Sequence, residues 1–403
     1  GSRSTGKVIR HGAACLGRPM LRLSLLMSFG LLAGCIREDV VNDGQATSAP
    51  MPPAVSAVEL APVDVVPAAD VPAAPGVPMP RPYRKRLDAA VALNATCIAC
   101  HADEAKQWQG SHHQQANVNP AYRKAFAIEP SPFCRGCHAP EADPRVDPPK
   151  AVSELGVGCV TCHVTEEGFV LAAASPGDAA ARAPHPLRRS TAFSQTGGCS
   201  GCHEFRFPMG MGNDDGQFMQ TTAREHLRSP AAGKACADCH MPRVEGRRSH
   251  AFAEVRDPVW LRNNLHVKAE RAEDNTLRVT LVQPAPGHDF PTGDLFRRLE
   301  VGCELKNERG TVLRREVRHL ARHFQVIPGQ PGRHLAVDDR VGKEPRVVDL
   351  DITPPSGAPQ RGTLSWWVRY QRVATVGTGT NPADAKIESE VLLHSGEIPW
   401  DVK

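Results

Sequence analysis

The sequence is poor in aromatic residues: they make up 5% of 403 residues, and only three are tyrosines. Proline and glycine, at 36 and 34, are plentiful by contrast. This is not the composition of a chain built around one large conventional core. An excess of one charge is missing too. The formal net charge is +4, which excludes the basic excess of nucleic-acid-binding chains. Cysteine outside pairs is almost absent. Of 13 cysteines, only Cys15, Cys35 and Cys303 lie outside five Cys-x-x-Cys pairs.

Long apolar runs are limited to one, MLRLSLLMSFGLLAGC, opening at Met20. A single early Arg22, an apolar stretch and small residues before a cut site form a signal peptide, too short to span a bilayer as a mature helix. The ending Leu32-Ala33-Gly34-Cys35 resembles a lipobox, in which Cys35 is lipidated and becomes the new N-terminus. Residues 1–35 are therefore expected to be a signal peptide with a lipobox. Ile36 after the cysteine resembles the lipoproteins released to the outer membrane. Residues 36–88 are rich in Ala, Pro and Val and cannot pack a core, so they read as a tether. The expected location is the periplasmic face of the outer membrane or the cell surface.

The five pairs are CIACH (Cys97, Cys100, His101), CRGCH (Cys134, Cys137, His138), CVTCH (Cys159, Cys162, His163), CSGCH (Cys199, Cys202, His203) and CADCH (Cys236, Cys239, His240). Zinc ribbons, redox dithiols and disulfides also use paired cysteines, but none requires histidine after every second one. With 17 histidines in the chain, five such coincidences have a chance of about one in ten million. Cys-x-x-Cys-His is the attachment signature of c-type haem: two thiols meet the vinyl groups, and the next residue gives an imidazole nitrogen to the iron. Five covalent haems within residues 89–263 leave roughly 35 residues for each, too few for an ordinary core. The haems themselves are then the core. Each ferric haem adds about one negative charge, so the loaded chain is close to neutral or slightly acidic.

Each iron needs a second axial ligand or an open position. Setting aside the attachment histidines and His11, eleven histidines remain. The stretch CIACH-ADEAKQW-QGSHHQQA, followed by a second CxxCH and then GVGCVTCH, resembles the multihaem cytochromes c of the cytochrome c-554 type. These take electrons from hydroxylamine oxidoreductase or sit beside similar enzymes. Trp108, His113 and Ala116 match the family pattern, so the resemblance gives His113, rather than His112, the ligand role. Onward the likeness is looser and resembles a wider group of multihaem cytochromes. His185 opens HPLRR, Gln220-Thr221-Thr222 and Glu225 precede CADCHMP, and His250 lies in RRSHAF. Gly287-His288 opens GHDFPTG. By this resemblance His113, His185, His250 and His288 are distal ligands. For the fifth iron, His226 (where the group usually has Trp) and His112 are candidates, with Met209, Met211 and Met219 weaker ones.

From residue 264 the texture changes. TLRVTLVQ (276–283), RRLEVGCELKN (297–307), TVLRREV (311–317), PRVVDLDI (345–352), GTLSWWVRYQRV (362–373) and KIESEVLLH (386–394) read as strands. The expected fold is α+β: a mostly helical and irregular multihaem domain at 89–263, followed by an antiparallel β-sandwich at 264–403. Cys303 is expected to be a buried small hydrophobe. RREVRHLARH is either a solvated face or a surface for propionates or an acidic partner. The expected function is electron transfer along closely packed, mostly bis-histidine haems. Its partners would be other redox proteins, among them cytochromes and quinol-oxidising or terminal reductase complexes, and the membrane through the anchor. The alternative is an oxidoreductase acting on a small nitrogen or sulfur compound at one open iron. No CxxCK occurs, so the usual attachment pattern of pentahaem nitrite reductase is absent, and only Tyr83, Tyr122 and Tyr370 exist for a tyrosine crosslink.

Overall fold

The computed structural model describes residues 86–173, 184–191, 193, 195–207, 215–252, 257–273, 275–330, 333–358, 361–374 and 385–401. The expected signal peptide, Cys35, nearly all of the tether, Met209 and Met211 lie outside them.

The described residues between 86 and 263 form short helices joined by turns and by short two-stranded pairs. Each attachment motif lies on one: Asp88–Cys100 ends on the first pair, and Pro132–His138, Cys159–His163, Gly197–His203 and Cys236–His240 carry the rest. Residues three and four apart on a helix share a face, so each turn presents two thiols and an imidazole to one side. Proline at the first turn starts Pro132–His138, where a missing N–H costs nothing. The segment's own apolar core is small: Ala90, Trp108, Leu155, Val160 and Val164 are its buried members.

The second half is antiparallel. One sheet has four strands in the order Val312–Leu320, Arg297–Asn307, Arg361–Val373, Ile387–Asp401. Another has three: Arg346–Asp351, Thr276–Val282, His266–Ala272. One apolar cluster joins them, with Leu277, Val279 and Leu281 from the smaller sheet and Leu299, Val301, Leu305, Leu364 and Val368 from the larger. Cys303 lies within it, fully buried. Helices and antiparallel sheets together make the fold α+β. Six strands fall where periodicity expects them. Ile387–Asp401 runs on past Pro399, which is tolerated because this is an edge strand. His266–Ala272 and the hairpin of Arg322–Gln325 with His334–Asp338 escape a sequence reading, since Lys, Glu, Ala and His have little strand preference and pairing decides them.

The basic run of Val312–Leu320 is an ion-paired face: Arg314 meets Asp351 at 2.5 Å, Arg315 meets Glu304 at 3.4 Å and Arg318 meets Glu316 at 2.7 Å. Between the larger sheet's strands, Glu300 accepts from Trp367 Nε1 at 2.7 Å and Gln371 Nε2 at 3.0 Å, with His319 at 3.5 Å. Burial pushes its carboxyl up, but these partners outweigh burial and hold it down to about 2. Folding therefore favours the ionised form. The stability this contributes is complete above the ordinary value of 4.5 and is lost as pH falls toward about 2. Melting temperature is expected to decline over that window, and Glu300→Gln to flatten part of the decline. An unchanged slope in the variant would remove Glu300 as its source.

Candidate haem centres

The five motifs open onto one continuous cavity of about 2260 Å³, lined by all ten paired cysteines and all five attachment histidines. An ordinary ligand pocket holds about 300–1,000 Å³. Among the described residues no group of three or more His, Cys, Asp or Glu is placed to hold a bare metal ion. The imidazoles come in facing pairs instead.

Four attachment histidines each look across the cavity at one further histidine. His101 faces His185 with ring centres 6.5 Å apart, and His113 faces His203 at 6.0 Å. His163 faces His250 at 6.2 Å, and His240 faces His288 at 6.2 Å. An imidazole nitrogen binds a metal at about 2 Å with its ring centre roughly 1.1 Å behind, so two axial imidazoles stand about 6.2 Å apart. The four gaps therefore fit an iron and its macrocycle. Any angle between the two ring planes is allowed, because both contain the axis.

Local structure explains each placement. Trp108 donates to Val157 O at 2.9 Å, and Val157 N donates to His113 O at 2.9 Å, which pins the His113 loop to GVGC. Gly156 has φ +57°, and a Cβ there would lie 2.6 Å from His113 O, so only glycine fits. The strand Leu187–Ser190, paired in parallel with Val170–Ala173, follows His185, while Leu171 O takes His163 Nδ1 at 2.9 Å. The His250 backbone N–H donates to Gln107 Oε1 at 2.7 Å, and its Nδ1 meets Arg248 O at 3.0 Å. With Nδ1 bonded to a carbonyl, Nε2 keeps its lone pair for iron. Burial, and then neighbouring histidines, hold His113 down to about 3 and His203 to about 4; His163, His250 and His288 are also lowered, burial first. The imidazoles are thus neutral, as ligation requires.

The His288 loop is fastened from both sides. Gln283 Nε2 donates to His288 O at 2.9 Å, and Thr292 donates to Glu225 at 2.6 Å. Buried Arg340 bridges Glu225 at 2.8 Å, Asp338 at 2.8 Å and Asp289 at 3.3 Å. Thr221, whose hydroxyl also donates to Glu225, and Thr222, bonded to Thr292, join QTT-x-x-E to PTG. His226 belongs to this fastening. Its Nδ1 meets Gly287 O at 2.8 Å and its Nε2 meets Lys234 O at 2.9 Å, so neither nitrogen is turned to an iron. Here the geometry departs from the expectation that His226 serves the fifth centre. His112 and Met219 also line the cavity.

His138 differs from the other four. Its Nδ1 bonds to Ala116 O at 2.6 Å, and Tyr122 stacks flat on it at 3.9 Å. No histidine among the described residues faces it across the cavity. Tyr122 is a site residue that sequence reasoning passed over. Its signal was only its rarity.

The motifs do not touch in chain order. Cys97 lies near Cys159, Cys162 near Cys199, and Cys199 within hydrogen-bonding reach of Cys236. Cys137 has the same relation to Cys202. The contacts run first to third to fourth, with the second and fifth motifs both on the fourth.

Five Cys-x-x-Cys-His turns and facing histidines around one cavity define a multihaem c-type cytochrome. Known proteins agree. Residues 96–164 match the family described as cytochrome c554 and c-prime. The multiheme cytochrome MtrA of Shewanella baltica is 25% identical over 148 residues, 36% of this chain and 32% of that protein. The high-molecular-weight cytochrome c of Nitratidesulfovibrio vulgaris is 26% identical over 177 residues, 41% of this chain and 28% of that one. The chain thus spans about a third of the length of these relatives. In fold it is similar to a penta-heme cytochrome c552 from Thermochromatium tepidum, with TM-score 0.57 and 19% identity over 78% of this chain and 99% of that one.

Proposed function

We propose that the chain is a pentahaem electron-transfer cytochrome, with four haems held between paired histidines and a fifth held by His138 alone. The carrying observation is the set of four facing pairs at 6.0–6.5 Å against the lone His138. Each haem, when bound, supplies one iron that is reversibly reduced by a single electron. The chain's residues do the rest. The ten paired cysteines anchor, the five attachment histidines ligate from one side, and His185, His113, His250 and His288 ligate from the other. The order of motif contacts makes the fourth motif a junction with three neighbours. Electrons entering at the first motif reach it through the third and leave toward the fifth or second.

The two sheets read as a β-sandwich that works as lid and ligand donor: it closes the cavity and contributes His288. The reading extends to lipidation at Cys35 and a tether to 88, which hold the cytochrome at a membrane facing redox-protein partners on the periplasmic side or cell surface. The lone His138 also favours a second reading, in which the open centre acts on a small nitrogen or sulfur compound.

Haem analysis of the purified protein should return five haems per chain, and the ferric spectrum four low-spin and one high-spin. Within the low-spin set, His113 and His203, with planes at 89°, should give a strongly anisotropic signal; His240 and His288, at 15°, a rhombic one. Fewer than five haems would sink the pentahaem reading, and five low-spin haems the open-centre part of it.

A further inference from the structure

His138 is held on two sides by one neighbouring segment. Its Nδ1 meets Ala116 O at 2.6 Å, and the Tyr122 ring lies flat against it, with centres 3.9 Å apart and planes at 7°. Other attachment imidazoles are touched at an angle. Phe193 meets His163 at 5.1 Å and 60°, and Trp260 meets His240 at 5.7 Å and 52°.

Local sequence places the tyrosine. Asn119 accepts from the backbone N–H of Ala121 at 2.9 Å and of Tyr122 at 3.2 Å, and Pro120 opens the helix Pro120–Ile128. Tyr122 and Phe126, four apart, share a face of that helix. This face lies along the motif turn: Tyr122 covers His138, and Phe126 takes the Arg135 guanidinium at 4.5 Å. Upstream, Gln114 donates to Glu154 O at 2.8 Å and Asn117 to Ser153 Oγ at 2.6 Å, which fastens the stretch carrying Ala116. The Tyr122 hydroxyl is buried without a partner among the described residues, so the helix and packing seat the ring, not a hydrogen bond.

Both contacts act on an axial imidazole. Such a ring can turn about its bond to iron. An aromatic face at 3.9 Å is in van der Waals contact, and turning would drive the imidazole edge into it. A ligated imidazole gives up electron density, more to ferric than to ferrous iron. The face of an aromatic ring is negative and favours the more positive partner. The Ala116 carbonyl works in the same direction, since accepting from Nδ1–H raises the basicity of the ligand. Ferric iron is favoured as a result.

We propose that Tyr122 is a positioning residue of the haem attached through Cys134, Cys137 and His138: its ring fixes the rotation of the His138 imidazole and lowers the reduction potential of that haem. This rests on the reading of His138 as a haem ligand, whether or not its iron is open on the other side.

The test is a spectroelectrochemical titration of the holoprotein, in which the step that disappears in Cys134→Ala/Cys137→Ala identifies the second-motif haem. Tyr122→Leu should move that step upward, favouring the ferrous form about 3- to 10-fold, and leave the other four in place. Tyr122→Phe, which keeps the ring and loses the hydroxyl, should stay near the parent. The ferric electron paramagnetic resonance signal of that haem should broaden in Tyr122→Leu, as the imidazole samples several rotations, and stay sharp in Tyr122→Phe. Five haems per chain is the folding control, and if Tyr122→Leu fails it, Tyr122→Met takes its place. An unmoved step in the ringless variant overturns the proposal and leaves Tyr122 as packing alone. A shift in Tyr122→Phe equal to that in Tyr122→Leu assigns the effect to the hydroxyl and also overturns it, as does a shift spread over several haems. A titration in which Cys134→Ala/Cys137→Ala removes no step shows that this motif carries no haem, and defeats the functional reading on which the proposal stands.

Discussion

Replacing His288 by alanine is expected to turn one low-spin ferric haem high-spin and to open its ferrous form to carbon monoxide, with all five haems retained. His288 faces His240 at 6.2 Å, nearly parallel at 15°, the arrangement of two imidazoles on one iron. The loop that presents it does not depend on the imidazole for its shape. His226 and Gln283 hold the carbonyls of Gly287 and His288, and the Thr292–Glu225 bond and the Arg340 bridge fix the rest. Truncation should therefore leave a hole over the iron rather than a rebuilt loop. Against the wild type, ligand-binding haem should double from one in five to two in five. His226→Ala should act more weakly, blurring the His288 signal, since it frees the Gly287 carbonyl while sparing the ligand. A spectrum of His288→Ala identical to that of the parent would return GHDFPTG to a mere strand connection.

Removing the haem at the second motif should have the opposite effect. In Cys134→Ala/Cys137→Ala both thioether bonds are lost, and haem content is expected to fall to four per chain. The high-spin signal and all carbon monoxide binding should go with it, because among the described residues no histidine faces His138 across the cavity. The four low-spin haems should remain reducible. The second motif touches the fourth through Cys137 and Cys202 and is terminal, so its loss leaves the first, third, fourth and fifth in contact. The stacked Tyr122 and buried Ala139 and Ala142 around this turn would lose a large partner, and some loss of melting temperature should accompany the change. Persistence of a high-spin haem in the four-haem protein would locate the open iron elsewhere and contradict the reading of His138.

Some of this was legible in the sequence because its cause is local. Attachment needs two thiols three apart and an imidazole next to the second, and a single helical turn meets that need, so all five sites can be read without a fold. Strands with strict alternation, such as Thr276–Val282, are legible for the same reason: each residue's face is fixed by its neighbours along the chain. Even Gly156 has a local sign in GVGC, although its reason, the nearness of the His113 carbonyl, lies 43 positions away.

What the sequence by itself determined is the number and place of the attachment turns, the alternating strands, and a short set of histidines that resemble distal ligands. Only the tertiary structure decided which histidine faces which, and that His226 turns both nitrogens to carbonyls while His138 stacks on Tyr122 with no histidine of the described residues opposite it. It alone brought Arg297 and Tyr370, 73 positions apart, into one hydrogen bond in the cavity that His138 lines. The physical reason is that a sixth ligand is defined by a gap of a few ångströms across a cavity. Nothing in the covalent chain bridges that gap, so its occupant depends on how helices, loops and sheets pack around it.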